Sequence, residues 1–179
     1  MQGGGVCGAH SFNETIESCW QRSKTYFGSS IYWPKTVYGE GLLSTEPDKN
    51  IFANWTKVFM PYCDGAFHQG ATKEPYLYKG DKIYFRGGFN TRSHFQYIHN
   101  RFNLTSSERI VLTGSSAGAI SALAWSHYLQ NMAPNADFKL IPDSGVLIRI
   151  DDSELSNLFK VSNVDEDAPH AECAAKYGK

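Results

Sequence analysis

The sequence predicts an α/β domain with a mostly parallel sheet and helices on both of its faces. Three stretches carry this prediction, because each runs from a short apolar strand into a helix: 82–102, 109–132 and 139–160. Strands that alternate with helices in this way form parallel sheets. Catalytic and binding groups in such sheets collect at the carboxyl ends of the strands.

The elements follow one another in a simple order along the chain. A helix over 15–25, capped by Asn13 or Thr15, comes first, and glycines and prolines interrupt the stretch that follows it. The remaining expected elements are strands over 56–60 and 82–86, a helix over 90–102, a strand over 109–113, a helix over 119–132, a strand that starts over 139–142 and continues apolar over 145–150, and a helix over 153–160.

No internal repeat and no second domain are visible, so residues 1–179 are expected to form one partial domain. The glycine run that follows Met1 indicates a truncated N-terminus, because such runs usually join two elements.

The strand over 109–113 leads into Gly-Ser-Ser-Ala-Gly at 114–118, which fits G-x-S-x-G between a strand and a helix. This is the context of a nucleophile elbow, where a sharp turn exposes a serine above the sheet. Ser116 is therefore predicted to be a nucleophile, with the N–H of Ala117 facing the oxyanion that would form. The alternative is an ordinary turn in which Ser116 caps the helix.

The glycine run near the N-terminus, Gly3-Gly4-Gly5, suits the other side of an oxyanion hole. Ester hydrolysis through a serine needs further N–H donors, and these usually come from a glycine-rich loop earlier in the chain. Gly4 and Gly5 are the candidate donors. The alternative is a flexible chain end.

A catalytic triad in this fold runs in the order serine, acid, histidine. After Ser116, His127 falls about three turns along the next helix and is expected to point away from the site. Asp143 and His170 form a possible pair, but a turn acid and a surface histidine are the preferred interpretation.

The loop over 62–68 brings an acid and a histidine near a strand end. Asp64 and His68 are candidates for the wall of the substrate pocket, although they precede Ser116 and so do not fit the triad order. A turn at Asp64, tethered by Cys63, is an equally open alternative.

Composition narrows the class of protein. The formal net charge is -1 and 41% of the residues are hydrophobic, so nothing favours nucleic-acid binding. No apolar run approaches the roughly 18 residues of a membrane span. No cysteine spacing matches a zinc site, and neither a metal nor an organic cofactor is expected.

Cysteines and glycosylation sequons favour a secreted protein, although no signal peptide is visible. The sequons begin at Asn13, Asn54 and Asn103. Cys7 and Cys19 are the favoured disulfide because they close a local loop, with free buried thiols as the alternative. The partners of Cys63 and Cys173 stay open.

Seven ordered motifs carry a resemblance to a known family. They are Gly-Gly-Gly-Val-Cys at 3–7, Gly-Leu-Leu-Ser at 41–44, Asn-Trp at 54–55, Pro-Tyr-Cys-Asp-Gly at 61–65, Tyr-Phe-Arg-Gly at 84–87, Gly-Ser-Ser-Ala-Gly at 114–118 and Asp-Ser-Gly at 143–145. Together they resemble the pectin acetylesterase/Notum family of α/β-hydrolase carboxylesterases, over residues 3 to about 150.

The resemblance implies an α/β-hydrolase-like fold that is incomplete at both ends. It implies Ser116 as nucleophile and Gly4, Gly5 and Ala117 as the oxyanion hole. The family's acid and histidine lie beyond the Asp-Ser-Gly motif, so this chain is expected to lack them. Val6 replaces the family's usual aromatic residue, which bears on the acyl pocket wall.

The function that this resemblance implies is hydrolysis of an acyl ester, most simply acetyl on a polysaccharide such as pectin. The alternatives are a Notum-like lipid deacylase of a secreted protein, or a truncated member that binds without catalysis. The expected partner is therefore an acylated polysaccharide or an acylated protein. The protein itself is expected to be a monomer.

Overall fold

The computed structural model describes residues 1–145 and 152–164. The helices are α1 (Phe12–Ser23), α2 (Gly87–Phe102), α3 (Ala117–Met132) and α4 (Asp152–Ser162), and the strands are β1 (Tyr76–Tyr78), β2 (Asp81–Ile83), β3 (Arg109–Ser115) and β4 (Asp137–Asp143). The apolar stretch 146–150, His170 and Cys173 lie outside the described residues.

The unit β3–α3–β4 forms the centre of the described structure. β3 and β4 pair in parallel, from Arg109 opposite Asp137 to Ser115 opposite Asp143. The returning helix α3 packs on both strands, and its Trp125 is fully buried. This arrangement confirms the predicted parallel pairing of strands that are joined by a helix.

The N-terminal residues extend this sheet beyond β3 without forming a regular strand. The amino group of Met1 donates to the carbonyl of Thr113 at 2.5 Å. The N–H of Gln2 donates to the carbonyl of Met60 at 3.0 Å. The prediction of a regular strand over 56–60 is therefore wrong. Its last residue, Met60, does form a backbone hydrogen bond with Gln2.

The strand predicted over 82–86 is corrected to one arm of a short antiparallel hairpin. β1 and β2 pair from Tyr76 opposite Ile83 to Tyr78 opposite Asp81. Both residues of the connecting turn, Lys79 and Gly80, have positive φ (48° and 83°), which two-residue hairpin turns of this hand require. Lysine rarely adopts positive φ, so this turn could not be recognised from its residue types.

Helix α1 begins earlier than predicted and uses a different cap. Ser11 is the N-cap, and its hydroxyl accepts from the N–H of Glu14 at 3.3 Å. The same hydroxyl donates to the Glu14 carboxylate at 2.9 Å. Neither Asn13 nor Thr15 caps the helix, and Thr15 is buried inside its first turn. The Ser-x-x-Glu spacing, which is typical of helix N-termini, was the signal for this cap.

The predicted Cys7–Cys19 disulfide is confirmed, with an S–S distance of 2.04 Å. It ties α1 to the loop that contains Gly3–Gly5. α4 packs against the same region, mainly on α1, and buries Leu158 and Val161 completely. None of the helices in the described part of the chain has the length and apolar composition that a membrane span requires.

Candidate active site

Ser116 occupies the junction between β3 and α3 in a strained backbone conformation. Its φ is 54° and its ψ is −122°, a combination that a residue with a Cβ adopts only where the surrounding structure imposes it. An N-cap serine has extended angles and accepts a capping bond, whereas the Ser116 side chain caps no N–H of the described helix. Ser116 is also exposed, so the geometry favours a nucleophile elbow over a helix cap.

Two glycines make room for this turn. A Cβ on Gly114 would overlap the carbonyl oxygen of Gly118, and a Cβ on Gly118 would overlap that of Met1. The N–H of Ser116 donates to the carbonyl of Asp143 at 2.9 Å, which fixes the elbow to the end of β4. The elbow is thus held from three sides: by its own helix, by the N-terminal segment and by β4.

The glycine run lies directly against the elbow. A Cβ on Gly3 would overlap the carbonyl of Ser115 and come within 3.2 Å of the Ser116 Cβ. Gly4 and Gly5 have φ values of 136° and 67°, which residues with side chains rarely adopt. The run is therefore a shaped loop beside Ser116, as an oxyanion hole requires, and the flexible-end alternative does not fit this packing.

A cavity of about 1440 Å³ runs along β3 and reaches the elbow at Gly3, Gly114 and Asp143. Its wall includes the apolar side chains of Leu42, Met60, Phe95, Phe102, Leu104 and Leu112. Val6 packs instead against the core cluster of Cys7 and its neighbours. The pocket role of Val6 stays a prediction.

Asp64 organises the loop that follows the Pro-Tyr-Cys motif. Its carboxylate accepts three backbone hydrogen bonds, from Ala66 at 3.1 Å, His68 at 3.2 Å and Gly70 at 2.8 Å. The side chain is 5% exposed and is not on the wall of the large cavity formed by the described residues. This arrangement favours the turn interpretation of Asp64 over a role in substrate binding.

His68 links the same loop to the N-terminal segment. It is buried, its ring stacks on Tyr62 with centroids 4.7 Å apart, and its Nε2 lies 2.9 Å from the carbonyl oxygen of Gln2. Because a carbonyl can only accept, Nε2 carries the proton. Burial lowers the pKa of this ring, while the nearby Asp64 raises it. His68 thus holds the residue before the glycine run in place, which again favours a structural role.

Of the remaining triad candidates, Asp143 and His127 lie among the described residues. Asp143 is exposed, and its carboxylate accepts from the hydroxyl of Ser144 at 3.0 Å. His127 is exposed on the third turn of α3, as expected. His170 lies outside the described residues, so an Asp143–His170 pair stays untested.

The three sequon asparagines, Asn13, Asn54 and Asn103, are all exposed. Glycosylation needs this accessibility, so all three sites stay predictions that the structure permits. Cys63 is the unpaired cysteine among the described residues, and burial raises the pKa of its thiol to about 11. At neutral pH it is therefore a thiol.

Comparison with known proteins agrees with this geometry. A family profile described as Pectinacetylesterase matches residues 1–170.

The chain belongs to the pectinacetylesterase family.

Among individual relatives, it is 31% identical to pectin acetylesterase 5 of Arabidopsis thaliana over 85% of this chain and 34% of that protein. It is also 31% identical to the human palmitoleoyl-protein carboxylesterase NOTUM, over 69% of this chain and 23% of that protein. The chain thus spans about a third or less of the length of these relatives.

A solved structure of the Wnt deacylase Notum from Drosophila matches the fold, with a TM-score of 0.80 and 20% sequence identity. The match covers 98% of this chain and 53% of that chain. It confirms the predicted α/β-hydrolase-like architecture.

Ala119 lies in the first turn of α3, directly after the elbow. The Ala119 side chain is fully buried. A Cβ on Gly145 would come within 2.6 Å of the Ala119 Cβ, while the next atoms lie at ordinary contact distance, 3.5 Å. Gly145 therefore provides the space that Ala119 occupies.

We expect Gly145→Ala to destabilise the protein by about 1–3 kcal/mol, because the two methyl groups overlap in a packed contact. In an Ala119→Gly background the same substitution should cost much less, since the overlapping atom is gone. Urea unfolding of the two single variants and the double variant measures this coupling. Equal costs in both backgrounds would show that the contact is not made.

We expect the buried His68 to make stability depend on pH. Its folded pKa lies below the unfolded value of about 6.5, so the unfolded chain takes up the proton first. The stabilisation is complete above pH 6.5 and is lost as the pH falls, by at most about 1.4 kcal/mol per pH unit.

The measurement is urea unfolding between pH 7 and pH 5, with His68→Gln as the comparison. Glutamine keeps a donor for the Gln2 carbonyl but does not titrate, so the variant should lose part of the pH dependence. An identical slope in both proteins would contradict the assignment.

Proposed function

We propose that the protein containing this chain is a serine carboxylesterase that removes acetyl groups from a polysaccharide such as pectin. The observation that carries the proposal is the strained, exposed Ser116 with the glycine loop packed against it. Strain at a solvent-facing hydroxyl has a cost in stability, and it is kept where a reacting group must be presented.

The described residues supply the nucleophile and the oxyanion donors. Ser116 Oγ attacks the ester carbonyl carbon while a general base takes its proton. The carbon–oxygen bond to the alcohol then breaks, the alcohol leaves with that proton, and an acyl group stays on Ser116. Water hydrolyses this acyl-enzyme, which releases the carboxylic acid and restores the hydroxyl.

The oxyanion would be bound by backbone N–H groups of Gly4, Gly5 and Ala117. Those of Gly4 and Gly5 donate to no other backbone carbonyl in the described part of the chain, so they are available. A histidine base and its acid are expected from outside the described residues. The proposed substrate class rests on the pectin acetylesterases among the relatives. We further propose that the protein acts outside the cell and is a monomer.

A fluorophosphonate probe tests the nucleophile in the intact protein. We expect wild type and Ser115→Ala to be labelled and Ser116→Ala to show no labelling, because only the hydroxyl at the elbow is activated. Mass spectrometry of the adduct would locate the modified serine. A folded wild type that is not labelled would contradict the esterase and support the non-catalytic binding alternative.

A second candidate function is removal of a long acyl chain from a secreted protein. The apolar cavity that reaches the elbow favours it, as does the similarity to a palmitoleoyl-protein carboxylesterase. Rates of hydrolysis of p-nitrophenyl acetate and p-nitrophenyl octanoate separate the two functions. The polysaccharide deacetylase should prefer acetate in kcat/KM, and a preference for octanoate would favour the lipid deacylase.

A further inference from the structure

Helix α1 contacts the glycine loop at two points from one face. Cys19 and Arg22 are three residues apart, which places their side chains on the same side of a helix. Cys19 is joined to Cys7 at one end of the loop. At the other end, Nη1 of Arg22 donates to the carbonyl oxygen of Gly4 at 2.8 Å. The Gly5–Val6 segment lies between these two anchors.

The Arg22 guanidinium is held tightly in place. It lies over the ring of Tyr62, 4.9 Å from the centroid, and over that of Phe27, at 5.2 Å. The absent side chain of Gly65 leaves room for it, since a Cβ there would come within 3.1 Å of the Arg22 Cδ. Phe27 also fills the space beside Gly4, so the two aromatic rings fix both the cation and the loop.

The Gly4 carbonyl accepts a hydrogen bond from the Arg22 guanidinium, which has few other polar contacts. Its Nε and Nη2 are buried and have no hydrogen-bond partner among the described residues. Burial lowers the pKa of Arg22, yet a guanidinium stays charged in proteins. A partly desolvated charge is costly unless it is compensated. Here two aromatic faces, one carbonyl and the nearby carboxylate of Asp64 compensate it.

Because the peptide bond is planar, the hydrogen bond from Arg22 to the Gly4 carbonyl also sets the direction of the Gly5 N–H. In a planar trans peptide the C=O and the following N–H point in opposite directions, and the described backbone contains no cis peptide bonds. Because the Gly4 carbonyl points to Arg22, the Gly5 N–H points away from α1. A cation on the carbonyl also polarises the peptide, which makes its N–H a stronger donor.

We propose that Arg22 is a positioning residue that holds the Gly4–Gly5 peptide with its N–H aimed into the oxyanion hole. This inference rests on the proposed esterase function. Glycines at positive φ could otherwise rotate this peptide at little cost. Arg22 would act through the loop and would not touch the substrate.

The test compares Arg22→Met with Arg101→Met in the intact protein. Methionine keeps much of the apolar stem and removes the charge and the donor. Arg101 is exposed on α2 and lies over the Phe102 ring at 5.4 Å, so it provides the same substitution away from the loop. Readouts are kcat and KM for p-nitrophenyl acetate and the Ki of an aryl trifluoromethyl ketone, with active sites counted by fluorophosphonate titration.

We expect Arg22→Met to lower kcat about 10- to 100-fold per active site with KM little changed. This is below the roughly 100- to 1000-fold loss when an oxyanion donor is removed outright. The ketone forms a tetrahedral oxyanion on Ser116, so its Ki should rise by about the same factor. Arg101→Met should match wild type in both.

The Ki separates positioning from a general structural effect, because a smaller active fraction lowers the measured rate but leaves the Ki unchanged. Where Arg22→Met does not fold, Arg22→Lys keeps the charge and one donor and should show a smaller rise in Ki. An unchanged Ki in either folded variant overturns the inference and leaves the esterase intact. An inactive wild type would instead overturn the proposed function.

Discussion

The close approach of β3 and α3 around Ser116 is the constraint on which the rest of the site depends. The turn between them is possible because Gly114 and Gly118 carry no side chains where their backbones meet. The turn leaves Ser116 at a positive φ and exposed to solvent. Once this junction is set, the N-terminal segment can lie beside β3 and bring the glycine run to the same place.

Much of this arrangement could be predicted from the sequence. An apolar run before Gly-Ser-Ser-Ala-Gly and a helical pattern after it identify a strand, a turn and a helix, because each has its own residue preferences. The Cys7–Cys19 disulfide was also predictable, since the two residues are close in the chain. Local signals of this kind survive in a single sequence because they depend on neighbouring residues alone.

Contacts between distant segments could not be predicted in this way. The burial of Asp64 and His68 depends on the loop that encloses them. An acid and a histidine near a strand end suggested a substrate pocket, and neither residue lines the large cavity along β3 that the described residues form. Arg22 carries no motif, and its role follows only when Tyr62, Phe27 and Gly4 are brought around it. The spacing of Cys19 and Arg22 on one helix face was the available hint.

The disulfide has a consequence for where the protein can mature. Before Cys7 and Cys19 are oxidised, α1 holds this segment only by non-covalent contacts, which include Arg22 on Gly4 and Thr15 on Ala9. Thiols stay reduced in the cytosol and become oxidised in the secretory pathway. Under the proposed function, the loop beside Ser116 would therefore gain its covalent anchor only in an oxidising compartment, and the site would be fully assembled only there.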